Sequence, residues 1–144
     1  MDFQEYVKFA NEHPLCYIAT ADGDQPRVRP FMMLFADDTG FYFQTASPKA
    51  VYKELQKNQK VELSFYAPGP VKDEKVLRVA GEVEFLDDIQ LKTKVFKERP
   101  FLKGTGIQGP EDPKLIVFRV GKGEAYLWTI AYSLRESEIE KTKF

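Results

Sequence analysis

Residues 25–55 read QPRVRPFMMLF, then ADDTG, then FYFQTASPKAVYKEL, and the fold turns on how this stretch is parsed. The first segment has strand character, and a side-chain period of two puts Arg27 and Arg29 on one face. Asp37-Asp38-Thr39-Gly40 is turn chemistry, so the strand Phe41 to Thr45 is expected to fold back as a hairpin. Ser47-Pro48-Lys49 then reads as a helix start, with Ser47 as N-cap and Pro48 in the first turn. Helix N-termini expose unpaired amides and the positive end of a dipole, so they favour anions. Arg27, Arg29, Thr45, Ser47 and Lys49 therefore have the makings of a phosphate cradle. The same residues also fit a solvated strand face and an ordinary cap, and residue types alone leave both readings open.

Composition narrows the classes. At 144 residues the chain is expected to form one domain over 1–144 with a real core. Its 43% hydrophobic content excludes a disordered chain. The 21 basic and 22 acidic residues leave a net charge of −1, so no global field recruits nucleic acid or an anionic membrane, and neither partner is expected. Cys16 is the only cysteine; in the apolar run Leu15-Cys-Tyr-Ile-Ala it reads as a buried, inert thiol. His13, the only histidine, sits beside Pro14 at a helix stop, without triad or metal-ligand partners, so no metal is expected. No signal peptide opens the sequence and no apolar run approaches ~20 residues, so a cytoplasmic, non-membrane protein is expected.

Outside the opening stretch, Asp2 to Asn11 reads as an amphipathic helix with Asp2 and Glu5 at capping-box spacing. Leu15 to Ala21 is a strand ending in the turn Asp22-Gly23-Asp24. Val51 and Leu55 give the helix after Lys49 its buried face, with Asn58 as terminator. Val61, Leu63 and Phe65 alternate with Glu62, Ser64 and Tyr66 in a half-exposed strand. Val76 to Leu86 is a long strand whose interior Gly81 marks a bulge or close backbone approach. Asp87-Asp88 cap a helix carrying Leu91, Val95 and Phe96. Gly104, Gly106 and Gly109 formally match GxGxxG, but no strand precedes them and Pro110 and Pro113 follow, so a dinucleotide loop is not the reading. Leu115 to Val120 and Glu124 to Thr129 are strands around the bend Gly121-Lys-Gly123. Ser133 and Glu136 read as a second capping box. Clustered strands and peripheral helices give a mainly β (α+β) class, an antiparallel barrel or sheet.

The run ATADGDQPRVRPF, the FYFQT-S-K helix start, the LQKNQKVELSF strand and LRVAGEVEFLDD, in that order, together resemble the FMN-binding split-barrel proteins, the group of pyridoxamine 5′-phosphate oxidase and its short relatives. The resemblance runs from about Phe3 to Trp128. It implies a six-stranded antiparallel Greek-key split barrel and a homodimer with two FMN sites in its interface. It also implies roles: Arg29 and Lys49 on the cofactor phosphate, with Arg27 as a weaker match, and Thr45 and Ser47 as hydroxyl donors. Pro30, Phe31 and Met32 match the strand edging the flavin ring, and Gln44 lies near the ring and ribityl chain. Trp128 matches loosely an aromatic that reaches the partner subunit's flavin; a packed core tryptophan is the alternative. Phe31, Met33 or Phe43 are candidates for an apolar wall on the ring, although alternation turns some of them to the core.

The departures bear on substrate. Where true pyridoxamine phosphate oxidases carry a basic residue for the substrate phosphate, this chain has Leu34, and SLRESEIEKTKF lacks their Arg-x-His signature. A flavin-approaching glutamine is replaced near Val76. Vitamin B6 oxidation is therefore disfavoured. The leading expectation is an FMN-dependent oxidoreductase passing electrons from NAD(P)H to a small-molecule acceptor. The alternatives are a non-enzymatic flavin-binding or sensing protein, or a barrel using deazaflavin F420; haem is disfavoured because His13 would have to ligate it. No catalytic acid, base or nucleophile emerges, which suits a protein whose cofactor carries the chemistry.

Overall fold

Alternation dictates the sheet. In β1 (Leu15–Asp22) Cys16, Ile18 and Thr20 are buried, while Leu15 and Tyr17 face outward. The computed structural model describes residues 1–144. Its other strands are β2 (Gln25–Met32), β3 (Phe35–Asp37), β4 (Gly40–Ala46), β5 (Lys60–Ala67), β6 (Lys75–Leu86), β7 (Leu115–Thr129) and β8 (Thr142–Lys143). Three helices, α1 (Phe3–Glu12), α2 (Ala50–Lys57) and α3 (Ile89–Glu98), lie at the periphery.

All strand pairs are antiparallel, in the order β2-β1-β5-β6-β7-β4-β3, with β8 added to β7. β2 and β3 stand at opposite ends of that order, yet only Met33 and Leu34 separate them in sequence. A sheet whose two edge strands are joined so closely must roll onto itself. With β2 and β3 counted as one interrupted strand, the result is the expected six-stranded antiparallel Greek-key barrel, split at the interruption.

The interior is filled by rows in register. Ile18, Leu63, Val79 and Ala125 follow one another across β1, β5, β6 and β7, and all are fully buried. Phe43 stacks on Phe118 at 5.3 Å between ring centroids, and Phe31 meets both edge-on at 5.9 Å. Each such aromatic contributes roughly 1.5–3 kcal/mol by leaving water. A second apolar cluster, Val95, Leu102, Ile107, Leu115 and Val117, lies under α3.

The predicted bend at Gly121 is instead a bulge within one continuous strand, β7. Glu82 pairs with Lys122 and Val83 with Val120, which leaves Gly121 without a partner. Gly81 is the predicted close approach: a Cβ there would sit 2.6 Å from the Lys122 carbonyl oxygen. The bulge and the added local twist help a long hairpin curve around a barrel.

Helix ends follow the sequence in α1, where Asp2 and Glu5 form a full capping box, and in α3, capped by Asp88. Three local expectations are corrected. β4 does not fold back on β2; β2 pairs with β1, and only Phe35–Asp37 pairs with β4, because the chain changes partners at Met33 and Leu34. Ser47 is not the N-cap of α2. Its N–H donates to the Lys114 carbonyl at 2.9 Å, and the helix begins after an extended Lys49. Ser133 and Glu136 form no capping box: Glu136 accepts from Tyr126 Oη at 3.1 Å, the segment makes short 3-10 turns, and the chain ends as β8 with Phe144 stacked on Phe3.

Candidate functional site

The interruption creates free strand edges. β2 pairs with no strand but β1, so Pro30–Met32 has one side free of strand pairing, where Arg99 reaches the Met32 carbonyl. β4 leaves β3 at Tyr42, so Phe43–Ala46 pairs with no strand but β7, and the Ala46 carbonyl accepts from the Lys49 N–H. The Leu34 N–H to Tyr42 carbonyl bond, 2.9 Å, is where the β3–β4 pairing gives out; Met33 N–H turns away to Pro14 O at 2.9 Å. Backbone groups on such edges remain available to a ligand.

A polar cluster joins β1, β2 and α2. Arg29 on β2 donates from Nη1 to Thr20 Oγ1 (2.7 Å) and from Nη2 to Glu54 Oε1 (2.6 Å). Thr20 Oγ1 donates to the same Glu54 oxygen at 2.6 Å. The Arg29 side chain is 22% exposed and that of Glu54 9%, so the pair is largely withdrawn from water. Burial pushes the Glu54 carboxyl up, but hydrogen bonds from Thr20 and Arg29 and the Arg29 and Arg27 charges outweigh it, holding it below the ordinary glutamate range. Glu54 is therefore an anion at neutral pH. A cleft of about 220 Å³ lined by Asp22, Ala50, Lys53, Glu54 and Lys57 opens alongside, between the β1–β2 turn and α2.

The predicted site residues differ in exposure and in partners. Arg27 and Arg29 share a face as expected, but Arg27 is exposed and paired with Asp22 at 3.2 Å. Lys49 is exposed at the entry to α2 with no ion-pair partner. Thr45 is 1% exposed, and its Oγ1 has no hydrogen-bond partner. A buried hydroxyl left this way costs about 1–3 kcal/mol, so a missing acceptor is the natural explanation. Pro30 and Met32 are exposed along the open edge, and Gln44 is half-buried in register with Val117. Phe31 points into the barrel, and Met33 and Phe43 are core residues, which leaves no ring wall on that side.

Trp128 is half-buried opposite Val76. Pairing carries Met32 to Leu15 on β1 and Tyr66 to Val76 to Trp128 on the far strands. Trp128 stands on β7, four places from β2 in the strand order. It lies at the rim of an outward face carrying Leu15, Tyr17, Val28, Met32 and Tyr66, all 42–67% exposed.

Two residues at the site escape a reading of the sequence. Glu54 lies between Val51 and Leu55 on the buried side of α2, where a charged residue signals a hidden partner. Arg99, at the end of α3, donates from Nη2 to the carbonyls of Met32 (2.9 Å) and Met33 (3.1 Å), tying α3 to the interruption. Burial lowers its pKa from the ordinary arginine value.

The strand order and the interruption between β2 and β3 define a six-stranded split-barrel protein. Within that class, the family model for pyridoxamine 5′-phosphate oxidase matches residues 3–129, and the chain belongs to that family. A nimC/nimA family protein from Clostridium acetobutylicum is 28% identical, with 98% of this chain and 92% of that one covered at a TM-score of 0.75. General Stress Protein 26 from Bacillus anthracis is 19% identical, with both chains fully covered and a TM-score of 0.72. An FAD-binding protein from Mesorhizobium loti is 20% identical over 84% of this chain and 89% of that one, with a TM-score of 0.64. No curated protein matches. No helix is long and apolar enough to cross a membrane.

Proposed function

We propose that the chain is a flavoprotein that binds FMN along the barrel split and works as an oxidoreductase, taking electrons from NAD(P)H and passing them to a small acceptor. The observation that carries this reading is the buried, partnerless Thr45 hydroxyl on β4, a strand that the Phe31–Phe43 contact holds close to β2, which carries Arg29. A phosphate dianion suits that donor set: a guanidinium, a hydroxyl and an unpaired lysine form charge-assisted hydrogen bonds. Family membership and the FAD-binding neighbour favour a flavin over other phosphate ligands.

In this reading Arg29, Thr45, Ser47 and Lys49 hold the phosphate, with Arg27 adding charge at the rim. The Pro30–Met32 edge and Gln44 align the ring and its polar chain. When bound, the flavin supplies the redox chemistry, and the protein contributes position, charge and exclusion of water. The exposed apolar face of Leu15, Tyr17, Val28, Met32 and Tyr66 is where a second copy docks, bringing Trp128 toward the partner's site. A patch of that character is typical of interfaces. Leu34 in place of a basic residue, and the lack of an Arg-x-His ending, argue against vitamin B6 as substrate.

The test is direct. Purified protein mixed with excess FMN and desalted should retain flavin absorbance, and NAD(P)H should bleach it anaerobically. A colourless protein after desalting overturns the cofactor; a retained flavin that NAD(P)H does not reduce overturns the donor.

A further inference from the structure

We infer that Glu54 is the positioning residue of the phosphate site: its carboxylate fixes the Arg29 guanidinium in place and moderates its charge. The inference rests on the proposed phosphate-binding role of Arg29. Glutamate is seldom this buried, and α2 places Glu54 between the core residues Val51 and Leu55, with its side chain 9% exposed. Stability alone is a weak reason for such an arrangement, because well-packed apolar residues commonly replace buried ion pairs without loss.

The geometry supplies a better reason. One carboxylate oxygen, Oε1, takes hydrogen bonds from Thr20 on β1 and Arg29 on β2, so a single atom ties α2 to both strands. Thr20 Oγ1 also accepts from Arg29 Nη1, which closes the triangle and fixes the plane of the guanidinium. A guanidinium carries more N–H donors than these two contacts use, and its fork remains able to take an anion. The fixed carboxylate lowers the rotational freedom that binding would otherwise remove. It also places a negative charge near the incoming phosphate, so the site holds its ligand less tightly than an unpaired arginine would.

Two substitutions separate these effects. Glu54→Gln keeps the shape and the Oε1 acceptor but removes the charge; Glu54→Ala removes both. FMN, riboflavin and inorganic phosphate are titrated into the full chain carrying each substitution, alone and with Arg29→Gln. Glu54→Gln should tighten FMN and inorganic phosphate by about tenfold, a factor worth about 1.4 kcal/mol. Glu54→Ala should loosen FMN by a similar factor. Riboflavin, which lacks the phosphate, should respond to neither, and with Arg29→Gln the effect of Glu54→Gln should vanish.

Equal or weaker phosphate and FMN binding in Glu54→Gln overturns the inference, as does an effect that persists without Arg29. If Glu54→Ala does not fold, Glu54→Gln decides. A wild-type chain that takes inorganic phosphate with this pattern but refuses FMN sustains the inference and refutes the flavin. FMN binding indifferent to Glu54 refutes the inference alone, and binding of neither ligand refutes both.

Discussion

Thr45→Val should make the ligand-free protein more stable and its cofactor binding weaker, and the opposed signs are what the structure demands. Thr45 is 1% exposed on β4, with Oγ1 unpaired. Valine has the same branched shape and suits a strand at least as well, so packing changes little. A buried hydroxyl without a partner costs about 1–3 kcal/mol. Removing it should raise the stability of the free chain by about 1–2 kcal/mol, after allowance for local relaxation. For a chain of this length that corresponds to roughly 3–7 °C in Tm. With FMN bound, the same substitution removes a hydrogen bond to a charged acceptor, worth about 1.5–3 kcal/mol, and so tenfold or more in Kd. Thermal unfolding with and without FMN, together with an FMN fluorescence titration, measures both terms. A variant with lowered Tm and unchanged FMN affinity would refute the reasoning, since it would mean that the hydroxyl is satisfied within the protein.

Three further outcomes are expected. Arg29→Gln should weaken FMN by about 1.5–3 kcal/mol with riboflavin unaffected, whereas exposed Lys49→Ala should cost less and mainly at low salt; titrations at two ionic strengths check both. Glu54, held below its ordinary pKa in the fold, adds stability that is full above the ordinary glutamate pKa and is lost as pH falls from there through its lowered folded pKa. Glu54→Gln should therefore flatten that part of the acid unfolding curve, and a variant with the wild-type pH slope would contradict the ion pair. Cys16 is fully buried and its thiol is pushed up to about 12 by desolvation, so thiol reagents at pH 8 should label it only on unfolding; rapid native labelling would contradict the burial.

Much of the fold was legible because strands of period two write their burial into the sequence. Cys16, Ile18 and Thr20, then Val61, Leu63 and Phe65, are inward as alternation requires. Asp2 and Asp88 cap their helices, and Gly81 marks the close approach to β7. The hairpin between β2 and β4 was misread because local turn chemistry at Asp37–Gly40 does not reveal how far back the pairing reaches. No glycine or proline marks Met33 and Leu34, where the chain changes partners. Ser47 and Ser133 carried cap signals that tertiary contacts overrode, the first through Lys114 and the second through the pairing of Glu136 with Tyr126. At the candidate site, the proposed roles of Arg29 and Thr45 come from spacing and resemblance. That of Glu54 does not, although a glutamate in the buried stripe of α2 was a visible signal. Arg99 left none, because its partners are backbone carbonyls far away in sequence.

The most direct measurement is a crystal structure of the protein grown with FMN. The phosphate should lie within hydrogen-bond distance of Arg29 and Thr45, with the ring along Pro30–Met32. FMN seated elsewhere, such as the cleft between Tyr52 and Phe85, or a phosphate out of reach of Arg29, would contradict the proposed site.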